Sequence, residues 1–233
     1  MKLAIIGDGK MGRAVESLAA DRGHAVTAVL GMADNAGGTG IDATRLGHPD
    51  VAIEFTEPAA AVANVFACLR ARIPVVVGTT GWYDRLESVI AEAGRTGGAL
   101  LWAPNFSIGV AVLTVAAEAA AAAVRRAGGF DVHLVETHHA AKKDSPSGTA
   151  AALAQAAQGL LDREVPITSV RTGHVPGTHE LIFDAAFEQV RLVHEARDRR
   201  VFADGALVAA EWLRGRPRGV FTMRDVVRLQ EGS

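Results

Sequence analysis

The stretch Lys2-Leu3-Ala4-Ile5-Ile6-Gly7-Asp8-Gly9-Lys10-Met11-Gly12 decides the fold. An apolar run of strand length ends in a complete G-x-G-x-x-G, and an amphipathic helical pattern follows over Met11–Arg22, with Gly23 as its stop. In this context each glycine has a reason: the first permits a tight turn, the second lets backbone approach a pyrophosphate, and the third lets helix and strand pack closely. The helix N-terminus then faces the phosphates. Gly7, Gly9, Lys10, Met11 and Gly12 are therefore candidate nucleotide-binding residues.

Working outward, strand and helix patterns alternate. Strands are expected at Ala25–Leu30, Val51–Phe55, Val75–Val77 and Ala99–Trp102, with helices from Pro58 to about Ala71 and over Trp82–Ala93. Gly31–Gly40 reads as a glycine-rich loop. Such alternation implies a Rossmann-like, doubly wound parallel sheet of α/β class. The pattern changes after Pro104. An alanine-rich helix covers about Ile108–Arg126. Strand-like segments follow at Phe130–Thr137, Ile167–Arg171, Leu181–Ala185 and Glu188–Glu195, interrupted by one helix over about Thr149–Leu161. This half reads as an α+β domain on a mixed sheet, with one face free for a partner subunit. A final helix (Gly205–Arg214) and strand (Val220–Thr222) return to the first domain. The expected domains are 1–107, completed by 200–233, for the dinucleotide and 108–199 for substrate and oligomerisation.

Composition excludes several classes. The chain has 233 residues, 49% hydrophobic and 21% charged, with net charge −2. Neither nucleic acid nor an anionic membrane surface is favoured as a partner. Cys68 is the single cysteine, so no internal disulfide or thiolate metal cluster can form, and its apolar helical setting suits a buried structural thiol. The N-terminus does not read as a signal peptide. The apolar stretch Ile108–Val124 is alanine-rich and contains Glu118, which suits a buried helix better than a membrane span. A cytoplasmic location is the default expectation.

The second chemical signal is His138-His139-Ala140-Ala141-Lys142-Lys143-Asp144-Ser145-Pro146-Ser147-Gly148-Thr149. Imidazole exchanges a proton near neutral pH, while ammonium groups and a helix N-terminus attract carboxylates. Ser145-Pro146 suits an N-cap followed by proline at the first helical position. The two histidines end a strand and are expected on opposite faces. No metal is expected, because adjacent histidines at a strand end do not converge as i, i+4 ligands do. With a hydride-carrying nucleotide opposite, these residues suit a reductase of a small, unsaturated carboxylate. The other readings are a different Rossmann oxidoreductase on a small carboxylate and a non-catalytic nucleotide sensor. Cofactor preference stays open: the acid that holds the NAD ribose should follow the second strand, and Gly31-Met32 stand there.

The second motif resembles the signature of the 4-hydroxy-tetrahydrodipicolinate reductase (dihydrodipicolinate reductase) family. The resemblance extends through Gly7–Arg13, Glu54-Phe55-Thr56, Gly78-Thr79-Thr80-Gly81, Ala103-Pro104-Asn105-Phe106-Ser107 and Gly205-Ala206-Leu207 to Trp212-Leu213. It implies reduction, by NADH or NADPH and with loss of water, of a cyclic dicarboxylate in the diaminopimelate route to lysine. It implies His138 as general acid, assisted by Lys142. It implies His139, Lys142, Ser147, Gly148, Thr149 and Thr80 on the substrate carboxylates. Phe55, Gly78, Thr80, Ala103, Asn105 and Phe106 would join the glycine loop around the nucleotide, and the assembly would be a homotetramer. Gly31 replaces the family's usual acid, Ala141 its usual base, and the chain is short for the family.

Overall fold

The computed structural model describes residues 1–216 and 218–228; residue 217 and residues 229–233 of the expected returning segment lie outside them. Along the chain the elements are β1 (Lys2–Ile6), α1 (Lys10–Asp21), β2 (Ala25–Leu30), β3 (Val51–Glu54), α2 (Pro58–Arg70), β4 (Val75–Val77), α3 (Leu86–Thr96) and β5 (Ala99–Trp102). Next come α4 (Ile108–Ala127), β6 (Asp131–His138), α5 (Gly148–Leu161), β7 (Ile167–Arg171), β8 (Thr178–Asp184) and β9 (Gln189–Glu195). The last elements among the described residues are α6 (Arg200–Arg214), β10 (Gly219–Phe221) and α7 (Met223–Val227). Two compact units result: Met1–Ser107 with the described residues from Phe202 onward, and Ile108–Val201.

The first unit holds a six-stranded sheet in the order β10-β5-β4-β3-β1-β2, every pair parallel. Its central strands β1, β3, β4 and β5 are short, largely apolar runs buried on both faces, as a parallel sheet requires, while the edge strands β2 and β10 are only partly buried; Val75, Val76 and Val77 are all fully buried. β1 lies between β2 and β3, so the winding reverses there. That reversal opens a crevice at the carboxyl ends of the strands. Cys68 packs with Val65, Leu69 and Leu100 in the core, and burial pushes its thiol pKa up, as an inert structural thiol demands.

α6 is anchored within this unit from the other end of the chain. The Arg22 guanidinium pairs with Asp204 at 2.7 Å and Glu211 at 2.9 Å, and His24 Nε2 lies 2.8 Å from Glu211. Gly205 sits so close to the 105–106 turn that a Cβ there would stand 1.7 Å from the Phe106 carbonyl oxygen. The backbone must therefore move to admit a methyl group. Gly205→Ala is expected to destabilise the unit by about 1–3 kcal/mol. Thermal unfolding checks this; an unchanged Tm would show that helix and turn are free to separate.

The second unit carries a mixed four-stranded sheet, β7-β6-β8-β9, in which only β6 and β7 run parallel. Leu113, Ala117 and Ala121 of α4 and Leu153 and Ala157 of α5 pack against Leu134, Leu181 and Phe183 on one sheet face. The β9 edge leaves Val190 and Val193 exposed. α4 is long and apolar enough to cross a membrane by length and composition, but its buried Leu113, Ala117 and Ala121 belong to this core.

Several element ends differ from the sequence reading. The helix expected over Trp82–Ala93 is a 3₁₀ turn at Tyr83–Arg85 followed by α3, which runs on to Thr96 and ends at left-handed Gly97. α6 begins at Arg200, a turn and more before Gly205. α5 is capped by Ser147, not Ser145, so Pro146 precedes the helix rather than opening it.

Candidate active site

In the first unit a cavity of about 470 Å³ lies at the switch point, between the 7–9 turn, the end of β2 and the β3–α2 loop. Gly7 has φ +110°, and a Cβ there would meet the Phe55 carbonyl oxygen at 2.0 Å. A Cβ on Gly12 would stand 1.8 Å from the Gly7 carbonyl oxygen, so α1 packs directly on the loop. A Cβ on Gly9 would meet nothing within 4 Å. The space in front of Gly9 is open, as backbone approach to a pyrophosphate requires. Of the expected nucleotide residues, Gly7, Gly9 and Phe55 line this cavity. Lys10, Met11 and Gly12 form the first turn of α1. Gly78 and Phe106 sit behind Phe55: a Cβ on Gly78 would be 1.9 Å from the Phe55 ring, and Phe106 meets that ring edge-on at 5.9 Å. Thr80 is exposed in the loop after β4, and Ala103 and Asn105 follow β5, where the Asn105 side chain accepts from the Ser107 N–H at 2.8 Å.

A buried polar network beneath the cavity escaped the sequence reading. Glu54, wholly buried at the end of β3, accepts from the Thr56 hydroxyl and from Asn64 Nδ2 at 3.3 Å. Asn64 Oδ1 accepts from Asn35 Nδ2 at 2.8 Å. Burial pushes the Glu54 carboxyl above the ordinary range, against hydrogen bonds from Thr56, Thr79 and Asn64 that pull it down. One acid inside an apolar strand was a visible signal; asparagines so far apart in sequence carried none.

In the second unit strand register assembles the chemistry. Glu136 and His138 lie two apart on the buried face of β6. His138 is paired across to Arg171 of β7, and Glu136 to His179 of β8. His138 Nδ1 is in close contact with Glu136 Oε2. Glu136 Oε1 accepts from Arg171 Nη2 at 2.6 Å and from the Ser147 N–H at 3.3 Å. The His179 ring stands edge-on to His138, centroids 5.2 Å apart, with its Nε2 3.3 Å from Ser147 Oγ. Burial alone would raise Glu136, but bonds from Arg171, Ser169 and His138 hold its pKa at about 2. Burial lowers His138 below its ordinary value; Glu136 opposes the shift, and Lys142 and Arg171 reinforce it. Burial, then the charge of His138, lowers His179 to about 4. An ionised Glu136 on Nδ1 fixes that nitrogen as the N–H, leaving Nε2 to exchange protons. Gly177 keeps space beside it: a Cβ there would stand 3.0 Å from Nε2.

His139 does not share the strand end with His138. It lies just past β6 in a turn, its carbonyl accepting from the Lys142 N–H at 3.1 Å. Lys142 Nζ pairs with Asp144 at 2.8 Å. Ser147 is buried, its Oγ accepting from the Ala150 N–H at 3.1 Å as the α5 cap, while Gly148 is exposed at the helix start and Thr149 partly so. Histidines do converge, contrary to the sequence argument against a metal, but the second is His179, not His139. Ligand-capable atoms of Glu136, His138 and His179 lie within 4.8 Å of one another. Arg171 on the same carboxylate already neutralises it, which favours a proton network over a cation site.

The comparisons with known proteins bear on the whole chain. Residues 1–106 match the family model "Dihydrodipicolinate reductase, N-terminus", and residues 109–227 match "Dihydrodipicolinate reductase, C-terminus". The chain belongs to the dihydrodipicolinate reductase family. A family member from Christiangramia forsetii, named 4-hydroxy-tetrahydrodipicolinate reductase, is 36% identical over 97% of this chain and 98% of its own. One of the same name from Xanthomonas campestris pv. campestris is 39% identical over 94% of each. The dihydrodipicolinate reductase of Paenisporosarcina sp. TG-14 superposes with a TM-score of 0.83 over 97% of this chain and 99% of its own, at 23% identity. GenD2 from gentamicin A biosynthesis, solved with NAD, superposes at 0.60 and 16% identity over 97% and 90%, a likeness of fold alone. The family and the doubly wound fold imply a nicotinamide nucleotide cofactor. The open approach at Gly9 and the glycine-only positions 7 and 12 fit that group.

Proposed function

We propose that this chain is a 4-hydroxy-tetrahydrodipicolinate reductase. It takes the cyclic dicarboxylate produced by the preceding synthase and converts it, with one hydride, one proton and loss of water, to tetrahydrodipicolinate in the diaminopimelate route to lysine. The observation that carries this reading is the buried Glu136–His138 pair beside the α5 helix start, in a chain whose relatives bear that name over nearly their whole length. The nicotinamide nucleotide, held by Gly7, Gly9, Lys10, Met11, Gly12 and Phe55, supplies the hydride. His138 Nε2 delivers the proton, and Lys142 supports the transfer and stabilises developing negative charge. His139, Lys142, Ser147, Gly148, Thr149 and Thr80 receive the substrate carboxylates, and Ser147 also caps α5. Gly78, Ala103, Asn105 and Phe106 complete the nucleotide loops. The first and second units act as nucleotide and substrate domains, and the enzyme works in the cytoplasm as a homotetramer through the second sheet.

The test is a coupled assay with the synthase product, following nicotinamide absorbance with NADH and NADPH in parallel. Oxidation of one or both is expected; oxidation of neither overturns the reading.

The lowered pKa of His138 has a consequence at pH 7. Two carboxylates arriving beside the imidazole favour its charged form, so binding draws a proton from solvent. The Paenisporosarcina relative was solved with dipicolinate bound, which makes that dicarboxylate a suitable probe. Calorimetric titration with dipicolinate, in buffers of different ionisation heat, is expected to show uptake of up to about one proton. Buffer-independent heats would separate His138 from the carboxylates.

A further inference from the structure

We infer that Asp8 takes over the ribose-recognition role vacated at Gly31 and makes this enzyme selective for NADH over NADPH. In a doubly wound fold the residue after the second strand normally supplies the acid that binds the adenosine ribose 2′-hydroxyl. Here that position is Gly31, directly after β2. A Cβ built on Gly31 would stand 3.0 Å from Asp8 Oδ2, 3.2 Å from its Cγ and 3.5 Å from Oδ1. The Asp8 carboxylate therefore occupies the space that a side chain at position 31 would enter. It reaches there from the glycine loop instead of from β2, and both residues line the same cavity.

The charges around that cavity point the same way. Its charged lining residues are Asp8 and Glu57, both acids, and no lysine or arginine is among them. Arg13 donates through Nε to the Asp8 carbonyl at 2.9 Å and Arg45 through Nη2 to the Asp34 carbonyl at 3.2 Å, and neither arginine lines the cavity. A carboxylate accepts well from two ribose hydroxyls. It repels a 2′-phosphate, and no cation lines the cavity to offset the repulsion. The missing acid at Gly31 is thus a relocation of the acid rather than its loss.

This inference rests on the nucleotide site proposed above but not on the reaction, so its test uses binding without substrate. Calorimetric titration of the purified enzyme with NADH, NADPH, NAD⁺ and NADP⁺ is expected to show the 2′-phosphorylated forms binding more than about tenfold more weakly. Asp8→Asn, which keeps size and removes charge, is expected to weaken NADH by about tenfold and leave NADPH unchanged or tighter. Met32→Arg, on an exposed side chain of the same cavity wall, is expected to strengthen NADPH with little effect on NADH. Equal affinities in the wild type, or an unchanged ratio in folded Asp8→Asn, overturn the inference. Should Asp8→Asn fail to fold, the wild-type ratio and the Met32→Arg shift still decide it. Selective NADH binding by a chain that reduces no synthase product would leave this inference standing and remove the proposed reaction.

Discussion

Replacing His138 with glutamine is expected to cut turnover by about a hundredfold or more while leaving nucleotide affinity intact. The side chain is buried at the end of β6, with Nδ1 committed to Glu136 and Nε2 facing the space that Gly177 leaves open. Glutamine can keep a contact to Glu136, but its amide does not exchange a proton near neutral pH. The nucleotide residues belong to the other compact unit, and the partners of this imidazole, Glu136 and His179, are not among them. Steady-state kinetics alongside nucleotide titration checks both halves. Unchanged turnover would falsify a proton-transfer role for His138. Lost nucleotide binding would instead mean that the substitution disturbs the fold.

The second large effect concerns Glu136. This carboxylate is wholly buried, and three groups depend on it: His138 Nδ1, the Arg171 guanidinium and the Ser147 N–H. Glu136→Ala leaves a largely buried guanidinium without its counter-ion, a loss that costs about 3–5 kcal/mol. Glu136→Gln keeps the shape and still accepts hydrogen bonds, so it is expected to lose much less stability. Without the negative charge, however, its imidazole neighbour is harder to protonate, and the alkaline limb of the pH–rate profile, where the proton donor is lost, moves to lower pH.

Acid stability separates the roles further. Glu136 is held at about 2, below its ordinary 4.5. Its contribution is complete above pH 4.5 and disappears as pH falls from there toward 2. His179, lowered from 6.5 to about 4, adds an earlier loss across that interval, because unfolding lets it take up a proton that the folded site resists. Thermal melts of wild type and Glu136→Gln from pH 7 to 3 should diverge above pH 4.5 and converge below it. Parallel curves throughout would place the stabilising charge elsewhere.

Much of this was legible in the chain. Alternating apolar segments marked the parallel sheet because a strand buried on both faces must be apolar throughout. Gly7 and Gly12 were readable because each answers a backbone requirement that no other residue meets, and Gly9 because it leaves the approach to a pyrophosphate open. Helix ends were less legible: Ser145-Pro146 and Ser147 both carried capping chemistry, and only packing selected Ser147. His138 stood out by residue type and motif. Its partners did not: Glu136 shares the alternating face of Val132 and Leu134 but belongs to no motif, and His179 lies in a different strand, with no spacing to connect them.

By itself the sequence determined the doubly wound class, the glycine loop and the histidine–lysine motif, since these follow from local periodicity and from residues whose backbone or proton chemistry is unique. The tertiary structure alone decided which groups share a charge. Cross-strand register brought Glu136 to His179 and His138 to Arg171, and the turn after β1 carried Asp8 to the space beside Gly31. Contacts of that kind depend on strand order and pairing, which no local stretch of the chain specifies.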